Sequence, residues 1–321
     1  MDSTNVTPLS KDPNQRFAQT IERVIDRGGS IIVGKNHELK LAFTCLIARG
    51  HLLIEDLPGV GKTTLAQVLA KLFDLDFNRV QFTSDMLPAD ILGVEIYNRD
   101  TGSFSFHPGP VFANVVLADE VNRATPRSQS ALLEAMEERQ VTIDNTTHRL
   151  PEPFFVIATQ NPTEQVGTFP LPESQLDRFL MRISLGYPGR EAERDLLQGV
   201  DRRKLLGELQ PVVDRTTLLA LQAEVDNVHA SDALVAYVQD LIDRTRQSGD
   251  FVTGLSPRSG LALVRAAKAW ALIDGRRHVL PDDVQEILPS VAAHRLLPSD
   301  QKHASDPYFL RDTLIRAVPI P

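Results

Sequence analysis

Five short apolar runs, at residues 51–55, 77–82, 114–119, 153–159 and 179–184, punctuate the first part of the chain, with helical patterns between them. Runs of this length read as strands, and strands alternating with helices predict a parallel α/β sheet. Ahead of the first run, Phe17, Ile21, Val24 and Ile25 share one helical face, Gly28-Gly29 reads as its stop, and a second helix is expected from about 36 to 49. Beyond about residue 186 the strand signal ends. Leu234, Val238 and Leu241, then Val284, Ile287, Leu288 and Val291, recur at helical spacing. Ser256-Pro257 and Pro281-Asp282-Asp283 read as helix starts, because a first turn tolerates proline and favours acids. The pattern predicts an α/β domain over 1–187 and a small all-α domain over 188–321, with a hinge at Gly186-Tyr187-Pro188-Gly189.

The first strand runs into Asp56-Leu57-Pro58-Gly59-Val60-Gly61-Lys62-Thr63-Thr64, and Leu65, Val68, Leu69 and Leu72 follow at helical spacing. A glycine-rich loop between strand and helix is the context in which such a loop holds phosphate. Gly59 and Gly61 let backbone N–H groups curl around phosphate oxygens, Lys62 suits the β- and γ-phosphates, and the Thr63 hydroxyl suits Mg²⁺. A nucleoside triphosphate is the expected ligand, held by Pro58, Gly59, Val60, Gly61, Lys62, Thr63 and Thr64. The pattern asks for glycine at its first position and this chain has Asp56, a residue type that tolerates turn and left-handed backbone. Downstream, Val115-Val116-Leu117-Ala118-Asp119-Glu120 is an apolar strand ending in two acids. Such carboxylates emerge at the strand's carboxyl end, where phosphates sit on an open α/β sheet. Asp119 is expected to hold Mg²⁺ through water and Glu120 to polarise the attacking water.

Composition narrows the partners. The 321 residues carry a formal net charge of -8, which opposes non-specific attraction to nucleic acid. Arg202-Arg203-Lys204 and Arg276-Arg277-His278 are the short basic exceptions, and acidic neighbours make them read as solvated helix ends or turns. Cys45 lies on the helical pattern of Leu39, Ala42, Phe43, Leu46 and Ile47 and reads as a buried thiol. Met1 to Ser10 has neither a basic start nor an apolar core, and no apolar run approaches the ~20 residues of a membrane helix. A cytoplasmic protein without membrane insertion is expected.

Several longer motifs point further. Asp119-Glu120-Val121-Asn122-Arg123-Ala124, the stretch from Gln129 to Thr142, Ala158-Thr159-Gln160-Asn161-Pro162, the stretch from Leu171 to Phe179, and Gly254-Leu255-Ser256-Pro257-Arg258 closely resemble the MoxR family of AAA+ ATPases. The likeness runs from about residue 12 to 316, and members of that family often carry an acid at the position of Asp56. The resemblance implies a P-loop NTPase parallel-sheet domain followed by a helical lid, with ATP and Mg²⁺ as ligands. It implies that Asn161 is the polar sensor at a strand end, that Arg178 is an arginine finger entering a neighbouring subunit's site, and that Arg258 is a second sensor touching the nucleotide from the lid. An amide suits the first role because it donates and accepts at once, and a guanidinium suits the finger because it stays charged. Arg123 could also reach a neighbour, and Ile32, Val33 and Gly34 stand where the family cradles the base.

The segments 85–110 and 141–150 resemble the helix-2 insert and pre-sensor hairpin of the MoxR-like clade, and Asp144-Asn145 between Val141, Ile143 and Leu150 suits a strand-turn-strand excursion. The resemblance implies a hexameric ring with a chaperone-like role in remodelling or maturing a client protein or enzyme complex, beside a partner with a von Willebrand factor A domain. A magnesium-chelatase-like metal-insertion motor is a related alternative. A nucleic-acid motor is disfavoured by the acidic charge and by the lack of aromatic-basic interleaving. A scaffold that binds nucleotide without turnover is disfavoured by Glu120 and Arg178.

Overall fold

Each apolar run becomes a strand of one sheet. The computed structural model describes residues 13–100, 102–162, 167–199, 202–300 and 307–320. The first part of the chain runs α1 (Pro13–Gly29), α2 (Asn36–Ile47), β1 (Leu52–Glu55), α3 (Lys62–Leu72), β2 (Phe77–Gln81), α4 (Pro88–Leu92), β3 (Gly93–Asn98), β4 (Ser103–Pro108), β5 (Val115–Asp119), α5 (Pro126–Glu138), β6 (Gln140–Ile143), β7 (Thr146–Arg149), β8 (Phe155–Gln160), α6 (Glu173–Leu176) and β9 (Met181–Ile183). Five strands pair in parallel in the order β2-β5-β8-β1-β9.

Helices on both faces explain why the central strands read as unbroken apolar runs. Leu52, Ile54, Val115, Leu117, Phe155 and Ile157 join the core beneath α1, α2 and α3. The alternate residues Leu53, Val116, Ala118, Val156 and Ala158 join a second core beneath α4 and α5. β2 lies at one edge and is accordingly mixed, with Asn78, Arg79 and Gln81 exposed.

Both expected inserts are hairpins outside this sheet. β3 pairs with β4 and β6 with β7, each antiparallel. Between β6 and β7, Asp144 and Asn145 adopt φ of 45° and 68°, the two left-handed positions that a tight two-residue hairpin turn requires. The hairpins touch, since the Phe106 ring stacks on that of His148 with centroids 3.9 Å apart. At the far side of the first hairpin, Tyr97 and Phe104 lie 5.2 Å apart and both are exposed.

After β9 the chain is helical: α7 (Arg190–Gln198), α8 (Arg202–Glu208), α9 (Arg215–Asn227), α10 (Asp232–Gln247), α11 (Pro257–Ile273), α12 (Pro281–Ala292) and α13 (Pro307–Ala317). Asp214, Ser231 and Ser256 cap α9, α10 and α11 by accepting the N–H of Thr217, Leu234 and Ser259. This part does not stand apart from the sheet. α9 and α11 pack on α2, α12 packs on β9, and Leu218, Leu221, Leu263 and Leu288 belong to the same core as Leu52 and Ile54. Gln222 adds a buried hydrogen bond from Nε2 to the Leu46 carbonyl, 2.9 Å.

The remaining composition features resolve simply. Cys45 is buried, and burial pushes its thiol well above the usual range. Three arginines of the basic runs are engaged within the chain: Arg202 donates to the Ser30 carbonyl, Arg276 grips the buried Asp283, and Arg277 pairs with Glu224 at 2.9 Å. Among the described residues no helix is long and apolar enough to cross a membrane.

His51, just ahead of β1, ties β8 to α5. Its Nδ1 accepts the Val156 N–H at 3.0 Å and its Nε2 faces the Met136 carbonyl at 3.2 Å. Burial lowers its pKa to about 4. The unfolded chain therefore binds a proton near pH 6.5 that the folded chain refuses until about 4, so stability falls as pH drops through that window. The contribution of His51 is about 3 kcal/mol by this linkage. Urea unfolding from pH 7 to 4 is expected to show the slope, and His51→Gln should flatten it by that amount.

Candidate active site

Because β1, β5 and β8 are parallel, their carboxyl ends meet at one edge, and the loops that leave them build the site. The Asp56 N–H donates to the Gln160 carbonyl at 3.1 Å, holding the loop after β1 against the end of β8. Gly59 and Gly61 then take φ of 84° and 103°, which a side chain would strain, and Gly61 delivers Lys62 into the first turn of α3. No acid occupies that first turn, so its N–H groups and the positive end of the helix dipole are available to an anion. Lys62 Nζ donates to the Asp56 carbonyl at 2.7 Å, which folds it over the loop.

The acid pair is held by Thr159 and Arg123 from the quoted motifs and by Arg79 and Gln81, which no motif singled out. Asp119, 7% exposed, accepts the Thr159 hydroxyl at 2.6 Å on Oδ1 and Arg79 at 2.6 and 3.1 Å on Oδ2. Glu120 has φ 56°, in the left-handed region, and its N–H donates to Thr159 Oγ1 at 2.9 Å. Its Oε2 accepts Gln81 Nε2 at 2.7 Å and lies 2.9 Å from Arg123 Nε. Arg123 is thus a partner of Glu120 inside this chain. Asn161, 6% exposed, comes one residue after β8, between the acids on β5 and the phosphate loop on β1. The signal for Arg79 and Gln81 was their alternation along β2, but only the pairing of Gln81 beside Asp119 gives that alternation a meaning.

The donor set suits Mg²⁺. The ion takes hard oxygen ligands, usually one or two carboxylates beside waters and phosphates. Asp119 offers a carboxylate whose oxygens accept more than one bond, Thr63 stands in the first turn of α3, and no grouping of three or more ligating residues exists among the described residues.

Ile32, Val33 and Gly34 form the turn between α1 and α2. Gly34 has φ 74°, and a Cβ there would meet Ala192 Cβ of α7 at 2.8 Å. Lys35 donates to the Tyr187 carbonyl at 3.1 Å. The turn therefore lies against the segment that leads from β9 into α7.

Arg178 and Arg258 lie elsewhere. Leu180 N donates to the His51 carbonyl, which fixes this region at the amino ends of the strands. Arg178 Nη1 reaches Glu137 at 3.0 Å and the Leu133 carbonyl at 2.7 Å, and Arg258 Nη2 reaches the other Glu137 oxygen at 2.6 Å. The Arg258 hydrogen bond, with the Arg178 charge behind it, holds the Glu137 carboxyl below its usual value. Asp177 is occupied by Arg295 at 2.6 Å. Arg178 and Arg258 thus lie on the His51 side of β1, opposite the end that leads to Lys62. The two arginines border a cavity of about 980 Å³ that Arg49, Arg246, Arg265 and Lys268 also line.

The profile of the ATPase family associated with various cellular activities (AAA) matches residues 51–181, and that of the AAA lid domain matches 243–311. The chaperone MoxR1 of Mycobacterium tuberculosis is 39% identical over 94% of this chain and 82% of its own. This chain belongs to the MoxR family of AAA+ ATPases. The YeaC protein of Bacillus subtilis is 46% identical over 86% of both chains. A crystal structure of a candidate ATPase from Cytophaga hutchinsonii superposes with a TM-score of 0.87, at 38% identity, over 96% of this chain and 97% of that one. In this MoxR-family chain the sheet falls in the stretch matched as the AAA domain, and α11 and α12 fall in the stretch matched as the lid.

Thr159 is the joint of the acid pair: wholly buried, it donates to Asp119 and accepts from Glu120. Thr159→Val keeps the shape and removes both bonds, leaving a buried N–H unpaired. Urea denaturation is expected to register a loss of about 1–3 kcal/mol.

Proposed function

We propose that this MoxR-family chain hydrolyses ATP with Mg²⁺ in a ring of six copies and uses the cycle to remodel or mature a client protein or enzyme complex in the cytoplasm. One observation carries the reading. Lys62, Asp119, Glu120 and Asn161 stand at the carboxyl edge of the sheet, while Arg178 and Arg258 converge on Glu137 at the opposite end of the same chain. A chain so built holds most of one site and the guanidinium pair of another, and copies stacked head to tail would complete both.

Within each completed site, Pro58 to Thr64 bind the triphosphate, and Val33 and Gly34 border the base. Thr63 and Asp119 hold Mg²⁺, which would neutralise phosphate charge when bound. Glu120 takes the proton of the attacking water, and Asn161 orients that water by donating and accepting. The neighbour's Arg178, with Arg258 beside it, faces the charge that develops on the transferred phosphoryl group. Glu137 holds both arginines until a competing anion arrives. The exposed Tyr97 and Phe104 on the first hairpin offer a client an apolar grip, and a von Willebrand factor A domain protein is the proposed partner. The name of the Mycobacterium tuberculosis chaperone supports this assignment of role.

Lys62→Ala is expected to lose ATP binding, and Glu120→Gln to bind ATP with hydrolysis down by about 10²-fold or more. Arg178→Ala should fall by about 10³-fold. Mixing Lys62→Ala with Arg178→Ala should restore activity, because some junctions pair an intact loop with an intact finger. Phosphate release across mixing ratios checks this, and no recovery at any ratio would overturn the shared site. Glu120→Gln charged with Mg-ATP in host lysate should retain a von Willebrand-type protein.

A further inference from the structure

Asp56 occupies the first position of the phosphate loop, where the general pattern has glycine. Tolerance of the turn does not account for how this carboxylate is used. It is 6% exposed, and Oδ2 accepts three bonds from one distant segment: the Ser184 hydroxyl at 3.0 Å, the Leu185 N–H at 2.5 Å and the Gly186 N–H at 2.6 Å. Oδ1 accepts the Leu57 N–H at 2.8 Å. The backbone of the same residue is engaged on the other side, with its N–H on Gln160 next to Asn161 and its carbonyl under Lys62 Nζ. Residues 184–186 follow β9 and lead into α7, the first helix after the sheet, and Gly186 takes φ 60° there.

The geometry points to Asp56 as a positioning residue through which the state of the phosphate loop is passed to the chain entering the lid. Hydrogen bonds from backbone N–H to a carboxylate are among the strong ones, and a buried N–H without its acceptor is costly. Glycine would build the loop equally well and leave Leu185 and Gly186 without an acceptor. Lys62 Nζ rests on the Asp56 carbonyl. A bound triphosphate competes for that ammonium, so Lys62 leaves the carbonyl as it takes up phosphate, and the residue released is the one whose carboxylate fixes 184–186. The next contacts extend the path, since Lys35 holds the Tyr187 carbonyl and Gly34 lies against Ala192 of α7. The inference rests on nucleotide binding at the loop, part of the function proposed above, and does not require hydrolysis.

Backbone hydrogen exchange at Leu185 and Gly186, with and without Mg-ADP, tests it on the full chain. In the wild type, Mg-ADP should change exchange at both amides by about fivefold or more, the lower range of site-to-site coupling. In Asp56→Gly the same amides should exchange about tenfold faster without ligand, and should no longer respond to Mg-ADP although it still binds. Asp56→Asn keeps one neutral acceptor and should restore part of the protection and the response. An unchanged Mg-ADP response in Asp56→Gly overturns the inference, as does wild-type exchange that is indifferent to bound Mg-ADP. Loss of Mg-ADP binding in both variants also overturns it, because Asp56 would then only shape the loop. A wild type that binds Mg-ATP without releasing phosphate would instead overturn the hydrolytic reading, with the exchange result judged by itself.

Discussion

Parallel pairing is the constraint on which the rest of this molecule depends. When five strands run the same way, every loop that leaves a strand at its carboxyl end emerges at one edge and every loop that enters emerges at the other. The phosphate loop, the acid pair and Asn161 come from three different strands and share an edge only for this reason. Arg178, entering β9, is sent by the same rule to the opposite edge, as is Glu137 near the end of α5. A chain of this topology cannot bring its own Arg178 to its own phosphate loop without undoing the sheet, which is the physical argument for a site shared between copies.

Burial then sets the terms for the polar groups. Asp56, Asp119 and Thr159 lie in or beside a core where an unpaired polar atom is costly, and each is paired more than once. Thr159 serves both acids, Arg79 and Gln81 reach in from the edge strand, and the Asp56 carboxylate closes the linker onto the loop. The site is therefore held by a connected set of hydrogen bonds, and a change at any member is felt by its neighbours. At the other edge Glu137 plays the corresponding part for two guanidiniums, one of them more than half exposed.

The lid shares its core with the sheet domain. Gln222 and the apolar faces of α9, α11 and α12 lock it to α2 and β9, so its main body forms one packed unit with the sheet. The chain between β9 and α7 buries Leu185 in the same core before it turns through Gly186 in the left-handed region. The Asp56 carboxylate meets the chain at this segment, next to the turn that carries Gly34.

The sequence by itself determined the elements and much of the chemistry. Apolar runs, alternation and period-3.6 patterns reflect burial on strand and helix faces, so the five runs, the second hairpin and the change to helices after residue 186 were legible, while the first hairpin lies in a segment that only the family resemblance marked. The loop from Pro58 to Thr64 and the pair Asp119-Glu120 were legible because local backbone demands, such as positive φ at Gly59 and Gly61, leave a mark on residue type. Tertiary structure alone decided which distant groups meet. Arg79 on Asp119, Gln81 on Glu120, Glu137 between Arg178 and Arg258, and Asp56 on residues 184–186 each join positions far apart in the chain. No local pattern encodes such a meeting, because it is fixed by strand order and by the packing of the lid behind α2, and these are properties of the whole core.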